Sequence, residues 1–435
     1  MASSRKSQSS DLAGRVGECL AHHAVLPTTR LSLGLSAGLD SVVLLHLLAG
    51  LRVKSGFSLS AIHVHHGLSP HADAWADTAC ALAHALDVPC QVAGVSVEHA
   101  AGLGIEAAAR AARYAAFETI SADVLCLAHH RDDQAETVLM QMLRGNGLAG
   151  MAAMPVCRDL TPSLRLLRPL LDVPRSVLRD YAEANALSWV DDESNDDPRF
   201  TRNFLRHQIL PSLTQRDPGV AASLARVATQ AAEADALLAE LAELDLLDCV
   251  VDGAFDLAVA ALLSPLRRRN ALRRWLRNLG IVADARAFDA FVQQLGAPTD
   301  AQPELRWRDR RVRRYRQRVH FVPGVPFTNE VAIEPGVGMS IPQGRLSWVP
   351  SAEGVAAGGA GPWRLRPRIG GERLRLRIDG PTRLLKSLYQ EAAVPPWLRD
   401  ATPLLFCGDH LAAVPGIGVA AAFAGGGWLP VWQPA

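Results

Sequence analysis

The sequence predicts an α/β protein: a parallel-sheet domain first, then a mostly helical middle part, then a small α+β domain at the C-terminus. Over the first 215 residues, short apolar runs alternate with stretches of helical period, as in a parallel sheet covered on both faces. Residues 217–295 keep a helical pattern, clearest in AASLARVATQAAEADALLAELAELDLL. After Pro303 the period becomes two, in arginine-alternating stretches such as RWRDRRVRRYRQRVHFV, which suits strands with one solvated face.

Taken in order, Leu31–Leu35 is a buried-strand run after Pro27, and Asp40–Ala49 is helical, with Val42, Val43, Leu45, Leu47 and Leu48 apolar. Leu59–Val64 is a second strand and Ala72–Leu86 a second helix. Val92–Val97 and Ile105–Ile120 repeat the unit. Val124–Ala128 and a helix from about Asp132 to Leu143 complete it. Ligands of such sheets bind beyond the carboxyl ends of the strands, so Ser36–Ser41, His65–Gly67 and His129–Asp133 are the expected site segments. The expected domains are 1–215, a helical 216–325, a Pro- and Gly-rich linker or β-rich connection over 326–360, and 361–435. WRLRPRIGGERLRLRI at 363–378 repeats the style of 304–322 and is compatible with a diverged copy of one β unit.

The 435 residues are 49% apolar and 20% charged, which describes a globular chain. Their net charge of +1 excludes a uniformly basic nucleic-acid binder and leaves a charge-segregated one open. Residues 217–263 carry nine acids against one base, residues 264–318 fifteen arginines against five acids, and residues 360–400 nine bases against four acids. Only Lys6, Lys54 and Lys386 are lysines, so arginine is a bias of the whole chain and its clusters are discounted accordingly. The seven cysteines have no zinc or redox spacing, which fits a reducing cytoplasm. No signal peptide is visible at the N-terminus, and the charge-free 411–435 stretch, broken by Pro415 and Pro430, reads poorly as a membrane span. A cytoplasmic protein without a membrane is expected; oligomeric state stays open, with a homodimer allowed.

Ser36-Ala37-Gly38-Leu39-Asp40-Ser41 lies between the first strand and its helix. A small-residue loop feeding a helix N-terminus presents free backbone N–H groups, the positive end of the helix dipole and two hydroxyls, which is a phosphate cradle. No Gly-Lys-Ser/Thr follows, so it is not a Walker loop. An ordinary strand-to-helix turn capped by Asp40 or Ser41 is the bland alternative. The loop resembles the pyrophosphate (PP-loop) signature Ser-Gly-Gly-x-Asp-Ser of the N-type ATP pyrophosphatases, with Ala37 in place of the first glycine.

Four further stretches resemble the bacterial tRNA(Ile)-lysidine synthetases within that superfamily. They are His63-Val64-His65-His66-Gly67-Leu68-Ser69 with Ala72-Asp73-Ala74-Trp75, and Gly104-Ile105-Glu106-Ala107 with Ala109-Arg110 and Ala112-Arg113-Tyr114. The others are His129-His130-Arg131-Asp132-Asp133-Gln134-Ala135-Glu136-Thr137, and Asp191-Asp192-Glu193-Ser194-Asn195 with Arg202-Asn203-Phe204-Leu205-Arg206. Val394-Pro395-Pro396-Trp397-Leu398-Arg399-Asp400 resembles their last domain. The resemblance implies a Rossmann-like PP-loop ATPase domain and ATP with Mg²⁺, the metal near Asp40. It implies pyrophosphate held by Ser36, Ala37, Gly38, Leu39, Asp40 and Ser41, with His65 at the nucleotide. It also implies transfer of free L-lysine to the wobble cytidine of a CAU-anticodon isoleucine tRNA.

Asp132, Asp133 and Glu136 are the candidates to bind or deprotonate the lysine amine, with Asp40 and Arg202 as further catalytic candidates. The spacing puts one of the two aspartates and Glu136 on one helix face. Arg110, Arg113, Asn203, Arg206, Arg273, Arg277 and Lys386 are the candidate tRNA contacts; for Arg110 and Arg113, pairing with Glu106 is an equal alternative. The histidines lack cysteine or carboxylate at ligand spacing, which argues against zinc. Two rival readings are a tRNA-thiolating enzyme of the same superfamily and a non-catalytic RNA-binding protein with a degenerate loop.

Overall fold

The structure, a computed structural model, describes residues 11–67, 69–97, 105–191, 201–297, 303–322, 327–356 and 361–434. The chain forms two compact units, Met1–Leu237 and Leu238–Ala435.

The first unit is built on β1 (Arg30–Gly34), β2 (Ser58–His65), β3 (Cys90–Gly94), β4 (Val124–Cys126), β5 (Cys157–Thr161) and β6 (Leu164–Leu167), in the order β3-β2-β1-β4-β6-β5. All neighbours pair in parallel except β5, which returns antiparallel on β6. β1 lies between β2 and β4, so the direction of strand addition reverses there, and the loops after β1 and β4 flank the crevice of a parallel sheet. Leu31 and Leu33 of β1 pack with Val43, Leu44, Leu45 and Leu48 of the helix Leu39–Ser55 in one core. Truncating a fully buried leucine such as Leu33 or Leu48 is expected to cost about 2–5 kcal/mol.

The helices Leu39–Ser55, Ala72–His84, Ile105–Glu118 and Arg131–Leu143 stand where their periodicity places them. Strand β3 starts and ends earlier than its apolar run predicts. It is the sheet edge, with Val92 exposed, so pairing to β2 rather than burial sets its limits. The helix Leu12–His22, the β5–β6 hairpin and the helix Arg175–Ala184 add to the expected framework.

In the second unit, β7 (Val250–Val251), β8 (Ala254–Asp256), β9 (Glu304–Trp307), β10 (Arg310–Tyr315) and β11 (Arg318–Val322) form a sheet in the order β7-β8-β11-β10-β9. The period-two reading after Pro303 holds. The helical reading of 217–295 is interrupted by the β7–β8 hairpin, which turns at Asp252 and Gly253, both at positive φ (52° and 77°). Asp-Gly is the pair a two-residue hairpin turn favours, so the interruption had a sequence signal. Phe255, Trp275, Phe288, Phe291, Val312 and Val319 fill this core.

The Pro- and Gly-rich stretch carries strand structure: Gly344–Ser351 pairs with Gly427–Pro434 over eight residues. Its glycines permit close approach, since a Cβ on Gly354 would stand 2.6 Å from the Trp428 backbone nitrogen. Residues 304–322 supply three consecutive strands, whereas 363–378 supply Trp363–Arg366 in another sheet and a two-residue strand, Arg373–Leu374. They are therefore not copies of one unit. No helix among the described residues is long and apolar enough to cross a membrane.

Candidate active site

The loop after β1 is drawn tight by its own side chains. Ser41 Oγ donates to the Gly38 carbonyl at 2.9 Å, the Ser36 and Ser41 hydroxyls lie 3.2 Å apart, and Gly38 N–H donates to Ser36 Oγ at 3.4 Å. Ala37 is fully buried and sits at φ 64°, the left-handed conformation that the glycine of the family signature adopts freely. That conformation costs an L-residue about 1–2 kcal/mol. The Val190 N–H bonds the Ala37 carbonyl at 2.9 Å and helps hold the turn. Leu39 is buried beneath it.

The loop after β4 meets this turn through His130, which caps the helix Arg131–Leu143. Its Nδ1 accepts the Asp133 N–H at 3.3 Å, and Asp133 Oδ2 accepts the His130 N–H at 3.0 Å. The other ring nitrogen, Nε2, stands 3.5 Å from Asp40 Oδ2. Burial opposes a charge on His130, but Asp133, Asp40 and Asp132 outweigh it and raise the pKa above the usual histidine value.

Asp133 and Glu136 share one face of this helix, both almost wholly buried. Two arginines cover them. Arg202 donates to Glu136 Oε2 at 2.7 Å and to Asp133 Oδ1 at 2.9 Å, while Arg206 donates to Glu136 Oε1 at 2.6 Å and to Asp133 Oδ1 at 3.0 Å. Burial would push the Asp133 carboxyl up, but His130, Arg202, His129 and Arg206 hold it well below the usual carboxylate range. Burial lowers Arg206 and Glu136 more than restores it, so its pKa is raised. Asp132 turns away from the pair and accepts the Arg175 N–H at 2.9 Å. Asp40 Oδ1 is a buried oxygen without a hydrogen bond, 3.8 Å from Arg175 Nε.

The expected residues divide accordingly. Ser36–Ser41, Asp132, Asp133, Glu136, Arg202 and Arg206 converge on the edge between β1 and β4, with the buried Asn203 next in sequence to Arg202. His65 closes β2, but its Nε2 is taken by Asp73 at 2.9 Å. His63 is a structural group, bonded to the Leu35 carbonyl at 2.9 Å. Arg113 Nε donates to His66 Nε2 at 3.3 Å, and Arg110 lies 5.2 Å over the Tyr114 ring. The Glu106 side chain and residues 192–200 lie outside the described residues. Arg273, Arg277 and Lys386 belong to the second unit, where Arg273 stacks on Phe288 at 4.5 Å. Among the described residues no three His, Cys, Asp or Glu converge as metal ligands.

Sequence reasoning did not single out the capping role of His130, nor Arg175, Arg158 and Arg168. A histidine just before Arg-Asp-Asp stands where an N-cap is expected, which was the one available signal. The cysteines, isolated in sequence, are not all isolated in space: burial and the neighbouring Cys80 thiol push Cys90 up to about 12. A thiol held there is a poor nucleophile at neutral pH.

Comparison with known proteins agrees with this geometry. The PP-loop domain family matches residues 9–213. The TilS substrate binding domain matches 255–320, and the TilS substrate C-terminal domain 363–431. A tRNA(Ile)-lysidine synthase of Chromobacterium violaceum is 44% identical over 415 residues, covering 92% of this chain and 95% of that protein. The chain belongs to the tRNA(Ile)-lysidine synthase family. Synthases of the same name from Alkalilimnicola ehrlichii and Ralstonia nicotianae are 43% and 42% identical, over 93% and 98% of this chain and 94% and 97% of theirs. Within this family neither the thiolating nor the non-catalytic reading is favoured. ATP use follows from the PP-loop domain.

Proposed function

We propose that the protein is an ATP-dependent ligase that joins free L-lysine to C2 of the wobble cytidine in CAU-anticodon isoleucine tRNA. The observation that carries this reading is the convergence of the Ser36–Ser41 loop with the Asp133–Glu136 pair through His130. The cytidine O2 attacks the ATP α-phosphate, a C2–O–P linkage forms, and pyrophosphate leaves into the loop. The lysine ε-amine then attacks C2, the C2–O bond breaks, and AMP leaves.

The amine is charged at neutral pH and must lose a proton before it attacks. Asp133, held far below the usual range, is the poorer acceptor; with Glu136 it fixes Arg202 and Arg206 instead. Asp132 is partly exposed and pairs with no arginine side chain among the described residues, which makes it the better one. Asp40 Oδ1, buried and unsatisfied, suits the Mg²⁺ that accompanies ATP, whose charge would help the phosphates accept the attack. Arg110, Arg113, Asn203, Arg273, Arg277 and Lys386 would hold phosphates, giving affinity without sequence information, whereas Arg206 is committed to Glu136 and Asp133. The cytidine must unstack to enter. The cytoplasm, where lysine and tRNA meet, is the proposed compartment, and a homodimer is a compatible assembly.

The test is direct. Incubate the protein with ATP, Mg²⁺, radiolabelled lysine and unmodified tRNA, then analyse the nucleosides. Base-stable lysine on cytidine, absent with Asp40→Ala, is the expected result. Pyrophosphate release without lysine incorporation would point to another nucleophile. Neither product would leave RNA binding alone.

A further inference from the structure

The first sheet carries a polar spot in the amino half of its strands, at the opposite end from the loops after β1 and β4. A parallel sheet covered on both faces reads as a near-continuous apolar run. β1 and β2 mostly obey: Leu31, Leu33, Leu59, Ala61 and Ile62 are buried. Ser32 and Ser60 break the run, and they are register partners on the two strands. Register partners in a ladder face the same way, with their strands roughly 4.8 Å apart, so two hydroxyls stand side by side. Alternation puts them on the face away from Leu31 and Leu33, which pack against the helix Leu39–Ser55. Gln91 of β3 is the register partner of Ile62, two residues beyond Ser60, and so shares that face.

These three polar residues line a cavity of about 250 Å³, walled on its apolar side by Ile62, Ile120 and Ala122. Ser32 is 3% exposed, yet its hydroxyl makes no hydrogen bond among the described residues. Ser60 Oγ reaches the Leu31 carbonyl only at 3.4 Å. A buried hydroxyl without a partner is costly, and one that faces a cavity takes its partner from whatever fills the space.

The lining also says what kind of molecule fits. At the rim Arg30 donates to Asp123 at 2.7 Å and to Ser121 Oγ at 3.0 Å, so the charge there is already matched and calls for no ion. The volume falls below the roughly 300–1,000 Å³ of sites for drug-sized ligands, which suits a single ring system. Two hydroxyls and a side-chain amide can each donate and accept. A flat, uncharged ring with donors and acceptors along its edge matches both the polar floor and the apolar walls. Nucleobases have that chemistry, and amide side chains meet their edges in paired hydrogen bonds.

We infer that Ser32, Ser60 and Gln91 form a second ligand site, for a free uncharged nucleobase, at the end of the sheet opposite the Ser36–Ser41 loop. This site does not rest on the ligase reading.

The experiment is calorimetric titration of adenine into the full-length protein, with the crevice saturated by α,β-methylene ATP so that adenine cannot enter there. The wild type is expected to bind one adenine. Ser32→Ala should weaken it about 3- to 10-fold, the range of one neutral hydrogen bond, and Ser32→Leu, which fills the cavity, should abolish it. Both variants should keep their affinity for the ATP analogue, because Ser32 lies outside the Ser36–Ser41 loop. The urea midpoint of Ser32→Ala should not fall, since no internal hydrogen bond is lost. Adenosine should bind more weakly than adenine, because its ribose exceeds the space. No binding to the wild type at millimolar adenine would overturn the proposal and leave a water-filled cavity. Binding that survives both variants unchanged would overturn it by placing the adenine elsewhere. A destabilised Ser32→Ala would overturn it by showing the hydroxyl engaged within the fold, and tighter binding of adenosine would overturn the assignment to a free base.

Discussion

The first unit buries the arginine–carboxylate contacts of its crevice, while most of those in the second unit keep at least one partner at the surface, and the difference separates charge used for a site from charge used for solubility and register. Glu136 and Asp133 are nearly inaccessible and each meets both Arg202 and Arg206. In the second unit the acidic run and the basic run that follows it fold onto each other. Arg267 meets Asp245, Arg274 meets Glu243 at 2.5 Å and Arg318 meets Asp256 at 3.1 Å, while Arg269 meets Asp289 at 2.7 Å within the basic run. The charge segregation seen along the chain is therefore partly neutralised in space. Buried pairs are costly to break on one side; exposed pairs contribute little.

The largest break should come from Glu136→Ala. It strips a buried partner from two guanidiniums and should cost about 3–5 kcal/mol in urea unfolding of the protein. A loss below about 1 kcal/mol would show that water already serves the cluster. Asp245→Ala tests the intermediate case: the carboxylate is buried, but Arg267 is half-exposed and can turn to water. About 1–3 kcal/mol is expected.

The acid limb sharpens the contrast within the first unit. His129 has a depressed pKa of about 3, so its contribution is complete above the unfolded value near 6.5 and is lost as pH falls toward 3. His130 is raised, so its contribution is complete below about 6.5 and is lost as pH rises through its folded value. His129→Gln should flatten the fall of the urea midpoint below pH 6.5, by at most about 1.4 kcal/mol per pH unit. An unchanged acid limb would mean that His129 is protonated in the folded protein.

On the exposed side, a double-mutant cycle on Glu243→Ala and Arg274→Ala should return a coupling below about 1 kcal/mol. A larger value would erase the distinction between the two regions. Ala37→Gly should change stability by less than about 1 kcal/mol. Relief of the left-handed strain is offset by the lost methyl contacts and the greater freedom of glycine when unfolded. It should retain lysine transfer, since glycine adopts the same φ.

Much of the fold was legible because its helices and central strands bury one face or both. Leu31, Leu33, Val43 and Leu48 announce β1 and the helix after it by periodicity alone. The edge strand β3 and the β5–β6 hairpin were not legible in the same way: their residues are half-exposed, and hydrogen bonds to neighbours rather than apolar pattern define them. In the site, the loop Ser36–Ser41 and the acids Asp132, Asp133 and Glu136 were readable from residue type and spacing. That Asp133 rather than Asp132 shares the buried face with Glu136 was not, because spacing allowed either.

By itself the sequence determined the order of elements, the small-residue turn before a helix and the family signatures, since these depend on residues close in the chain. Only the tertiary structure decided which charges meet. Arg202 and Arg206 reach Glu136 across some seventy residues, at separations of 66 and 70. Asp40 reaches His130 across the crevice, and Arg158 reaches Tyr114 from an edge strand. Electrostatic partnership depends on distance and burial, and neither is written in the local pattern of a chain.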